Sequence, residues 1–436
     1  YFDVQTNREF AVQGTAFVEI SSTNTITSRG TVAVDSNPAT IVGNGDGGGQ
    51  LLVTSGTNAY VFTLATNVLA SIAALAGKAT MGDMLDGFGI VLDSATSKVY
   101  VSSLLNFATW DTADFIQRNK APDPLVSIRV ANGYLYLLGA QTSEGWYNGG
   151  ESPIPFVFDP SGLMNYGCAA PFSPEVAGNA LQWVAATMNG QGAIVRAAGL
   201  RPEVVSSTAV QLALQGYESL EFAVGDTYED QGHTFYLCTF PSGNTTWCMD
   251  TNLPPAMAWH ERATWIAESA RYDAWRPAFH AFAFGQHRML DRTGGQIYQM
   301  SSTVYTDVLD STGTARPIRR LRRAPALVYR NDRLFYPGFE LDIEVGVGLT
   351  GTGQGSNPQV MMRFSNDSGR TWSNEQLRSF GKIGEYNTRV RWLRGGAGRR
   401  RVYEVAVSDP VPVRIVAAYL TDFETANPGM QRGRAA

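Results

Sequence analysis

The sequence predicts an all-β protein, a β-propeller of six or seven blades followed by a C-terminal antiparallel β domain. Short strand, turn, strand segments recur through the first three quarters of the chain at roughly forty-residue distances, a spacing typical of propeller blades. Gly-rich turns separate these segments, and amphipathic helical periodicity is nearly absent. A stack of β-sandwiches is the alternative, because hairpins alone do not show whether sheets close radially. The regular spacing favours the propeller.

The predicted hairpins follow one another along the chain. The first joins residues 51–53 to 60–64 across a Ser-Gly-Thr-Asn turn, and a Gly-rich run at 43–49 precedes it. Further strand pairs are predicted at 89–93 with 99–101, 127–130 with 134–138, 234–240 with 245–249, and 281–284 with 296–299. One short helix is expected at 69–75, where alanines accumulate, and no other amphipathic helix is predicted.

The sequence pattern changes near residue 310, and a domain boundary is predicted there. Residues 1–310 are assigned to the propeller, 311–422 to a sandwich-like β domain and 423–436 to a flexible tail that ends in Arg, Gly and Ala. Strands are expected at 327–329, 339–345 and 360–364, at Val390 with Trp392, and at 402–407 and 411–420.

The octet Ser365 to Trp372 is an Asp-box. Ser365 and Asp367 can bond the backbone amides of the turn, and Gly369 can adopt a positive φ without a Cβ clash. Trp372 is expected to fold under the turn as an apolar plug. The box is therefore predicted to lock a hairpin and to carry no chemistry.

Two clusters of arginines are candidate channel or inter-subunit residues. They comprise Arg319, Arg320, Arg322 and Arg323 in the first cluster, and Arg399, Arg400 and Arg401 in the second. They could line a DNA passage through sequence-independent phosphate contacts. Because both clusters lie among alternating β residues, solvated strands with carboxylate partners are the favoured interpretation.

Composition bounds the class of protein. A chain of 436 residues with 44% hydrophobic residues is ordered, and no apolar stretch approaches the ~20 residues of a membrane span. The net charge of −5 gives no bulk attraction to nucleic acid or to anionic membranes. The chain starts at Tyr1 without a charged and apolar leader, so we expect no signal peptide and a true N-terminus upstream.

Three cysteines do not make a disulfide framework. Cys238 and Cys248 could face each other across a hairpin, but reduced, half-buried thiols and folding in a reducing cytoplasm are favoured.

The sequence offers little foothold for catalysis or for a cofactor. His233, His260, His280 and His287 lack the spacing of a zinc site, and structural roles are favoured for them. Neither a nucleophile elbow nor a Walker loop is present. Residues 346–351 match a dinucleotide-binding fingerprint, but a Gly-rich segment and a strand follow where a helix is required, so a flexible loop is predicted. Neither a cofactor nor a metal is expected.

Aromatic residues end several of the predicted units, among them Trp110, Trp146, Tyr147, Trp183, Trp247 and Trp259. Packing between repeats is the favoured role, and sugar stacking is the alternative. A carbohydrate-binding propeller therefore remains a second hypothesis. A sialidase-like glycosidase is a third, weaker one, because a single Asp-box does not supply the arginines and the activated tyrosine of such a site.

Segments 367–372, 381–386 and 405–413 resemble the C-terminal signature of a phage family, the packaged-DNA stabilisation or tail hub and nozzle proteins of short-tailed bacteriophages. Weaker similarity extends back to residues 13–17, and residues 252–256 depart from the family pattern before Trp259. The resemblance implies a virion tail protein without enzymatic turnover, assembled in the host cytoplasm. It implies a hexameric homo-oligomer that meets the portal and adaptor above and the tail needle, spikes or fibres beside or below. Packaged DNA would be retained and later ejected through its channel, without membrane insertion.

Overall fold

Antiparallel β-strands build both parts of the chain, as predicted. The computed structural model describes residues 1–118, 120–121, 123–186, 192–309, 313–330, 332–421 and 424–425. Two compact units are present, Tyr1–Met300 and Ser301–Ala436. The predicted domain limits near 310 and 422 stay predictions, and the predicted tail at 423–436 lies outside the described residues except for 424–425.

In the described part of Tyr1–Met300, seven antiparallel sheets follow one another in chain order. The first four sheets contain β1 (Phe2–Asp3), β2 (Arg8–Gln13), β3 (Ala16–Ile20) and β4 (Ile26–Thr31); β5 (Thr40–Gly43), β6 (Gln50–Ser55), β7 (Asn58–Thr63) and β8 (Val68–Ser71); β9 (Met81–Leu85), β10 (Phe88–Asp93), β11 (Lys98–Ser103) and β12 (Asn106–Gln117); β13 (Leu125–Ala131), β14 (Tyr134–Gly139), β15 (Ser143–Asn148) and β16 (Phe156–Met164).

The remaining three sheets of this unit contain β17 (Glu175–Ala177), β18 (Ala180–Ala186), β19 (Gly192–Ala198) and β20 (Arg201–Val204); β21 (Val224–Asp230), β22 (His233–Phe240), β23 (Thr245–Asp250), β24 (Trp259–Ile266) and β25 (Arg271–Ala274); β26 (Pro277–Ala283), β27 (Gln286–Asp291) and β28 (Ile297–Met300). Each sheet is a meander of sequential strands, which is the composition of a propeller blade.

The hydrophobic core of this unit is divided among the seven junctions between sheets. Phe10, Phe17 and Phe62 pack together between the first and second sheets. Between the seventh and first sheets, Leu290 and Ile297 pack against Ala11, Val18 and Ile20. The ring is therefore closed, and its seven sheets in the described residues match one of the two predicted blade counts.

Local turn chemistry explains why the hairpins form where predicted. Between β13 and β14, Asn132 and Gly133 have φ values of 51° and 76°, the two positive angles of a type I′ hairpin turn. All five predicted strand pairs lie on strands of the structure, but β27 was missed between the last two predicted segments.

The helix prediction was only partly right. The expected helix at 69–75 is a strand, Val68–Ser71, followed by a 3₁₀ turn, Ala73–Leu75. Two further helices were missed, α1 (Thr208–Gln215) and α2 (Pro255–Ala258). The side chain of Ser207 caps α1 by accepting from the Val210 amide.

The second unit is a β-sandwich. Its strands are β29 (Thr306–Val308), β30 (Ala315–Pro317), β31 (Arg320–Arg323), β32 (Leu334–Phe335), β33 (Gly338–Ile343), β34 (Gln359–Ser365), β35 (Gln376–Ser379), β36 (Val390–Leu393), β37 (Ala397–Gly398), β38 (Val402–Val407), β39 (Ile415–Thr421) and β40 (Glu424–Thr425). One main sheet has the order β31-β38-β34-β35 and the other β36-β33-β39.

One hydrophobic cluster fills the space between the two main sheets. It includes Phe339 and Leu341 of β33, Trp392 of β36 and Val405 of β38. The segment at 346–351 is loop, as predicted, and the expected strand at 327–329 is reduced to a single bridge between Leu327 and Arg401.

Candidate functional site

The Asp-box forms a hydrogen-bonded turn after β34. The carboxylate of Asp367 accepts from the Arg370 amide at 2.9 Å and from the Thr371 amide at 2.8 Å, and the Thr371 hydroxyl donates to it at 2.6 Å. The Ser365 hydroxyl donates to Asp367 at 2.6 Å and accepts from the Gly369 amide. The Ser365 and Thr371 donors, followed by the backbone amides, hold the pKa of Asp367 well below its usual range.

Trp372 lies against the Asp-box turn, with an indole carbon 3.6 Å from the position that a Cβ of Gly369 would occupy, and its role as an apolar plug stays a prediction. Its ring also contacts the guanidinium groups of Arg323 and Arg363, which lie 4.9 and 4.7 Å from the ring centroid. Both arginines also bind the buried carboxylate of Glu404, at 2.6 Å each. The indole therefore stacks on the arginines on the outer side of the sheet, because strands β31, β38 and β34 bring the two cations together around Glu404.

The first predicted arginine cluster is divided by the alternation of β31. Arg319 pairs with Glu375 at 3.2 Å, and Arg323 pairs with Glu404. Arg320 donates to the Val411 carbonyl at 2.6 Å, and Arg322 is exposed. Among the described residues, ion pairs with a carboxylate are thus present for two of the four arginines.

The second cluster is divided in the same way. Arg399 and Arg400 are exposed. The backbone of Arg400 forms a β-bridge with Asp367, so both arginines lie beside the Asp-box turn. Arg370 of the box is exposed as well. We call Arg370, Arg399 and Arg400 the box-side arginines.

Arg401, the third arginine of the second cluster, lies in the protein interior. Its side chain is fully buried, and its guanidinium lies 4.0 Å from the Tyr336 ring centroid and 4.2 Å from that of Phe364. A buried guanidinium cannot reach a channel or a neighbouring subunit, so the position of Arg401 indicates a structural role.

Charge is distributed very unequally between the two units. Tyr1–Met300 contains 14 Lys and Arg against 26 Asp and Glu, a net charge of −12, whereas Ser301–Ala436 contains 20 against 13, a net charge of +7. The value of −5 for the whole chain averages these opposite charges. The sandwich unit is therefore attractive to anions although the chain as a whole is acidic.

The first strands of neighbouring propeller sheets carry a charged network that the sequence analysis missed. Arg129 of β13 bonds Glu175 of β17 and lies 3.8 Å from Asp83 of β9. The Asp83 carboxylate also accepts from the Val130 amide at 2.7 Å. Arg129, a charged residue inside an otherwise apolar predicted strand, was the feature of the sequence that could have indicated this network. Its partners come from sheets distant in sequence.

Asp226 of β21 belongs to the same region. Its carboxylate accepts from the backbone amide of His280 at 3.0 Å and of Thr227 at 2.9 Å. Burial, with the negative charge of Glu175 as a further cause, raises the pKa of Asp226 to about 7. The network therefore contains a carboxyl group that titrates near neutrality.

The four histidines lie on strands of the sixth and seventh sheets. His280 and His287 contact each other through ring nitrogens 3.0 Å apart. Burial and the neighbouring His287 lower the pKa of His280 to about 4. His233 contacts Asp250 at 2.7 Å. Among the described residues, no group of His, Cys, Asp and Glu has the arrangement of a metal site.

The cysteines and the aromatic residues are packed in the interior. Cys168, Cys238 and Cys248 are free and buried. Cys238 and Cys248 cannot pair because Cys248 lies opposite Leu237, which places the two thiols on opposite faces of the sheet. Trp183 is fully buried and donates to the Gly167 carbonyl, an arrangement that indicates packing at this position. In the part of the chain that the structure describes, no helix has the length and apolarity needed to cross a membrane.

Comparison with known families gives two matches. The family model described as "Bacteriophage P22 Gp10, beta-propeller" matches residues 1–305, and the one described as "Bacteriophage P22 Gp10, beta-sandwich" matches residues 319–421. The predicted resemblance to a phage tail family and the predicted fold are both confirmed. None of the curated proteins compared with the chain matches it.

Several solved structures show distant similarity. The N-terminal domain of Nup159 is 11% identical over 66% of this chain and 85% of its own, with a TM-score of 0.42. Virginiamycin B lyase from Staphylococcus aureus is 9% identical over 64% and 85%, with a TM-score of 0.42. An exo-beta-1,3-galactanase from Phanerochaete chrysosporium is 10% identical over 94% and 100%, with a TM-score of 0.31.

Proposed function

We propose that this chain, which belongs to the bacteriophage P22 Gp10 family, is a structural subunit of the phage tail that extends the DNA channel below the portal and adaptor. In this role it retains the packaged genome and takes part in its ejection. The observation that carries the proposal is the pair of family matches, which cover the propeller unit and the sandwich unit in the same order along one chain.

The role requires a stiff building block. Closed propeller rings leave few free strand edges, and each junction between sheets holds its own hydrophobic cluster. The sandwich is further held by the Asp-box turn and by the buried Arg401. Resistance to the pressure of packed DNA is then a matter of packing, and no turnover is required.

Copies of the chain are proposed to form a hexameric ring in the virion tail. Closed cyclic assemblies are the common solution when one chain must surround an axis. The portal and adaptor would lie above this ring, and the tail needle, spikes or fibres beside or below it. Assembly in the host cytoplasm, without membrane insertion, completes the proposal.

Any DNA contact is assigned to the sandwich unit, because its net charge is +7 whereas that of the propeller unit is −12. Among the candidate arginines, the exposed box-side residues Arg399 and Arg400 are best placed for phosphate contacts. Such contacts would be independent of DNA sequence and strongly dependent on salt.

The decisive experiment removes the chain from the virus. Phage grown without it should yield particles that lack this tail component by mass spectrometry and that lose packaged DNA, while complementation in trans restores both. Full, DNA-retaining particles without the chain would overturn the retention role. An unchanged particle inventory would overturn the tail assignment itself.

The DNA contact has its own test. The paired change Arg399→Gln and Arg400→Gln should weaken binding of duplex DNA and lower the slope of log affinity against log salt by about 2, since each phosphate contact contributes roughly 0.9. Arg271→Gln, an exposed arginine of the propeller unit, is the matched control and should leave the slope unchanged. Equal effects of both changes would contradict the assignment to the sandwich.

A further inference from the structure

The sandwich unit has one closed side and one open side. At the closed side, Trp392 donates to the Gln376 carbonyl and Arg378 donates to the Arg391 carbonyl, both at 3.0 Å, so β35 and β36 join the two sheets. At the other side, a cleft of about 700 Å³ lies between β31 and β39. Its lining includes Phe339, Leu341, Val360, Val405 and Val407, which are otherwise part of the core.

Both strands at the rim of this cleft are edge strands. Within the described residues, β31 pairs with β38 alone and β39 pairs with β33 alone. The sandwich therefore has four strands in one main sheet and three in the other. One added strand next to β39 would complete the smaller sheet and cover the cleft.

The chemistry of β39 is unusual for an edge strand. Its seven residues, Ile-Val-Ala-Ala-Tyr-Leu-Thr, include no charge and no proline, and Val416 and Tyr419 are 75% and 56% exposed. Proteins normally protect such edges with charges, prolines or bulges, because the free backbone groups pair readily with another strand. A register shift against β33 at Val416 interrupts this edge, but Ala417 to Leu420 pair with β33 in continuous register, so an uncharged edge remains beside the cleft for strand addition.

The opposite rim is cationic. Arg320 and Arg322 of β31 pair with Val407 and Val405, whose side chains belong to the core, so both arginines lie on the cleft side of the sheet. Arg320 Nη2 is buried without a hydrogen-bond partner, and Arg322 is exposed with no hydrogen bond among the described residues. The guanidinium of Arg320 is already engaged, because it lies 5.3 Å from the Tyr305 ring centroid and close to the charges of Asp307 and Asp409. Arg322 is therefore the guanidinium that remains available for a carboxylate at the cleft.

We propose that this cleft binds an extended acidic peptide segment of another protein. The segment adds to β39 as a strand, its apolar side chains cover the cleft floor, and its carboxylates meet the cationic rim, where Arg322 is the exposed partner. This inference does not rest on the proposed tail function.

Charge and shape distinguish this occupant from the others. Nucleic acid would supply anionic groups, but it could neither pair with a strand edge nor fill an apolar cleft. Residues 426–436 of the chain itself contain two arginines and no Asp or Glu, so their charge does not complement the rim. An acidic peptide satisfies the apolar floor, the free edge and the cationic rim together.

The test uses the full chain and a labelled peptide, Val-Thr-Glu-Thr-Val-Thr-Glu, of the same length as β39. Fluorescence anisotropy should show saturable binding, with about tenfold weaker binding when Gln replaces both Glu residues and weaker still with Lys. Arg322→Gln should weaken binding of the Glu peptide by about tenfold and hardly change binding of the Gln peptide. Val416→Lys should abolish binding of the Glu peptide.

The control is Leu377→Lys on β35, a comparably exposed apolar residue at the opposite edge of the larger sheet, and it should bind the Glu peptide normally. Circular dichroism shows whether each variant is folded. If Val416→Lys fails to fold, Arg322→Gln still tests the proposal, because it changes only an exposed side chain. Equal affinity for the Lys peptide, or no saturable binding, would overturn the proposal. The proposal would also be overturned if light scattering showed that the chain self-associates, that Val416→Lys removes this association, and that the peptide does not bind. The occupant of the cleft would then be a second copy of the chain.

Discussion

Arg401 donates two hydrogen bonds to one side-chain oxygen of Asn366, at 3.0 and 2.9 Å, from a fully buried position. A third donor, Nη1, bonds the Gly395 carbonyl at 2.6 Å. Two aromatic faces complete the surroundings of this cation, whose hydrogen-bond acceptors in the described residues are neutral oxygens. The planar fork of the guanidinium is therefore what joins the Asp-box strand to the loop after β36.

Substitution of Arg401 tests that role. Arg401→Lys keeps the charge but cannot form the forked bonds to Asn366, so we expect a loss of about 2–4 kcal/mol in the free energy of unfolding of the sandwich unit. Urea unfolding followed by tryptophan fluorescence measures it. The neighbouring exposed change Arg400→Lys should alter stability by less than about 0.5 kcal/mol. Equal effects at both positions would contradict the structural role of Arg401.

The Asp-box should stabilise the fold in a pH-dependent way. Because hydrogen bonds hold the folded-state pKa of Asp367 below its ordinary value of 3.8, its contribution is present above that value and is lost as pH falls through the lower folded-state pKa. Asp367→Ala should therefore be less stable than the wild type near neutrality, and the difference should shrink in acid. Unfolding curves from pH 2 to 7 measure it.

Asp342→Ala, an exposed substitution on β33, serves as the control for Asp367. A stability difference between Asp367→Ala and the wild type that is constant with pH would show that the carboxylate bonds do not carry the effect.

Asp226 should have the opposite pH dependence. Its folded-state pKa is raised from 3.8 to about 7, so ionisation opposes folding, and the stabilising contribution of the protonated form is lost as pH rises across that interval. Relative to the wild type, Asp226→Asn should gain on the order of 2 kcal/mol in unfolding free energy between pH 4 and 8. Denaturant titrations at each pH give the comparison. Parallel pH profiles for the two proteins would refute the assignment.

His280 should make the propeller sensitive to acid. Its folded-state pKa is lowered from 6.5 to about 4, so the unfolded chain binds the proton more readily and stability falls as pH drops through this interval. When the pH falls from 7 to 4, the free energy of unfolding of His280→Gln should decrease by about 1–2 kcal/mol less than that of the wild type. Thermal melting at several pH values checks this, with the more exposed His233→Gln as the comparison. Indistinguishable slopes for the His280 variant and wild type would contradict the prediction.

The hairpins could be predicted because each depends on contiguous residues. The turn of Asn132 and Gly133 is specified by two side chains and their backbone angles, and the flanking apolar residues set the strands. The turn of the Asp-box is equally local, since the bonds that the Ser365 and Asp367 side chains make within it join residues at most four positions apart. Helix α1 also had a local signal, the cap at Ser207, but its eight residues bury only Val210 and Leu214, too few for a clear amphipathic pattern.

The positions of the arginines could not be predicted because they depend on distant residues. Arg401 is buried by Tyr336 and Asn366, which lie far from it in the sequence. Trp372 lies among arginines because β31 and β34 both pair with β38. A run of arginines in the sequence therefore separates into buried, paired and exposed groups only when the register of the strands is known.

The opposite charges of the two units have a practical consequence for purification. The sequence isoelectric point near 5.5 suggests that the protein should pass through a cation-exchange column at neutral pH. The surplus of seven positive charges on the sandwich should instead retain it there, while the acidic propeller also binds an anion exchanger. Elution of this chain will therefore depend on which unit binds the resin, and the net charge of the whole chain will not predict it.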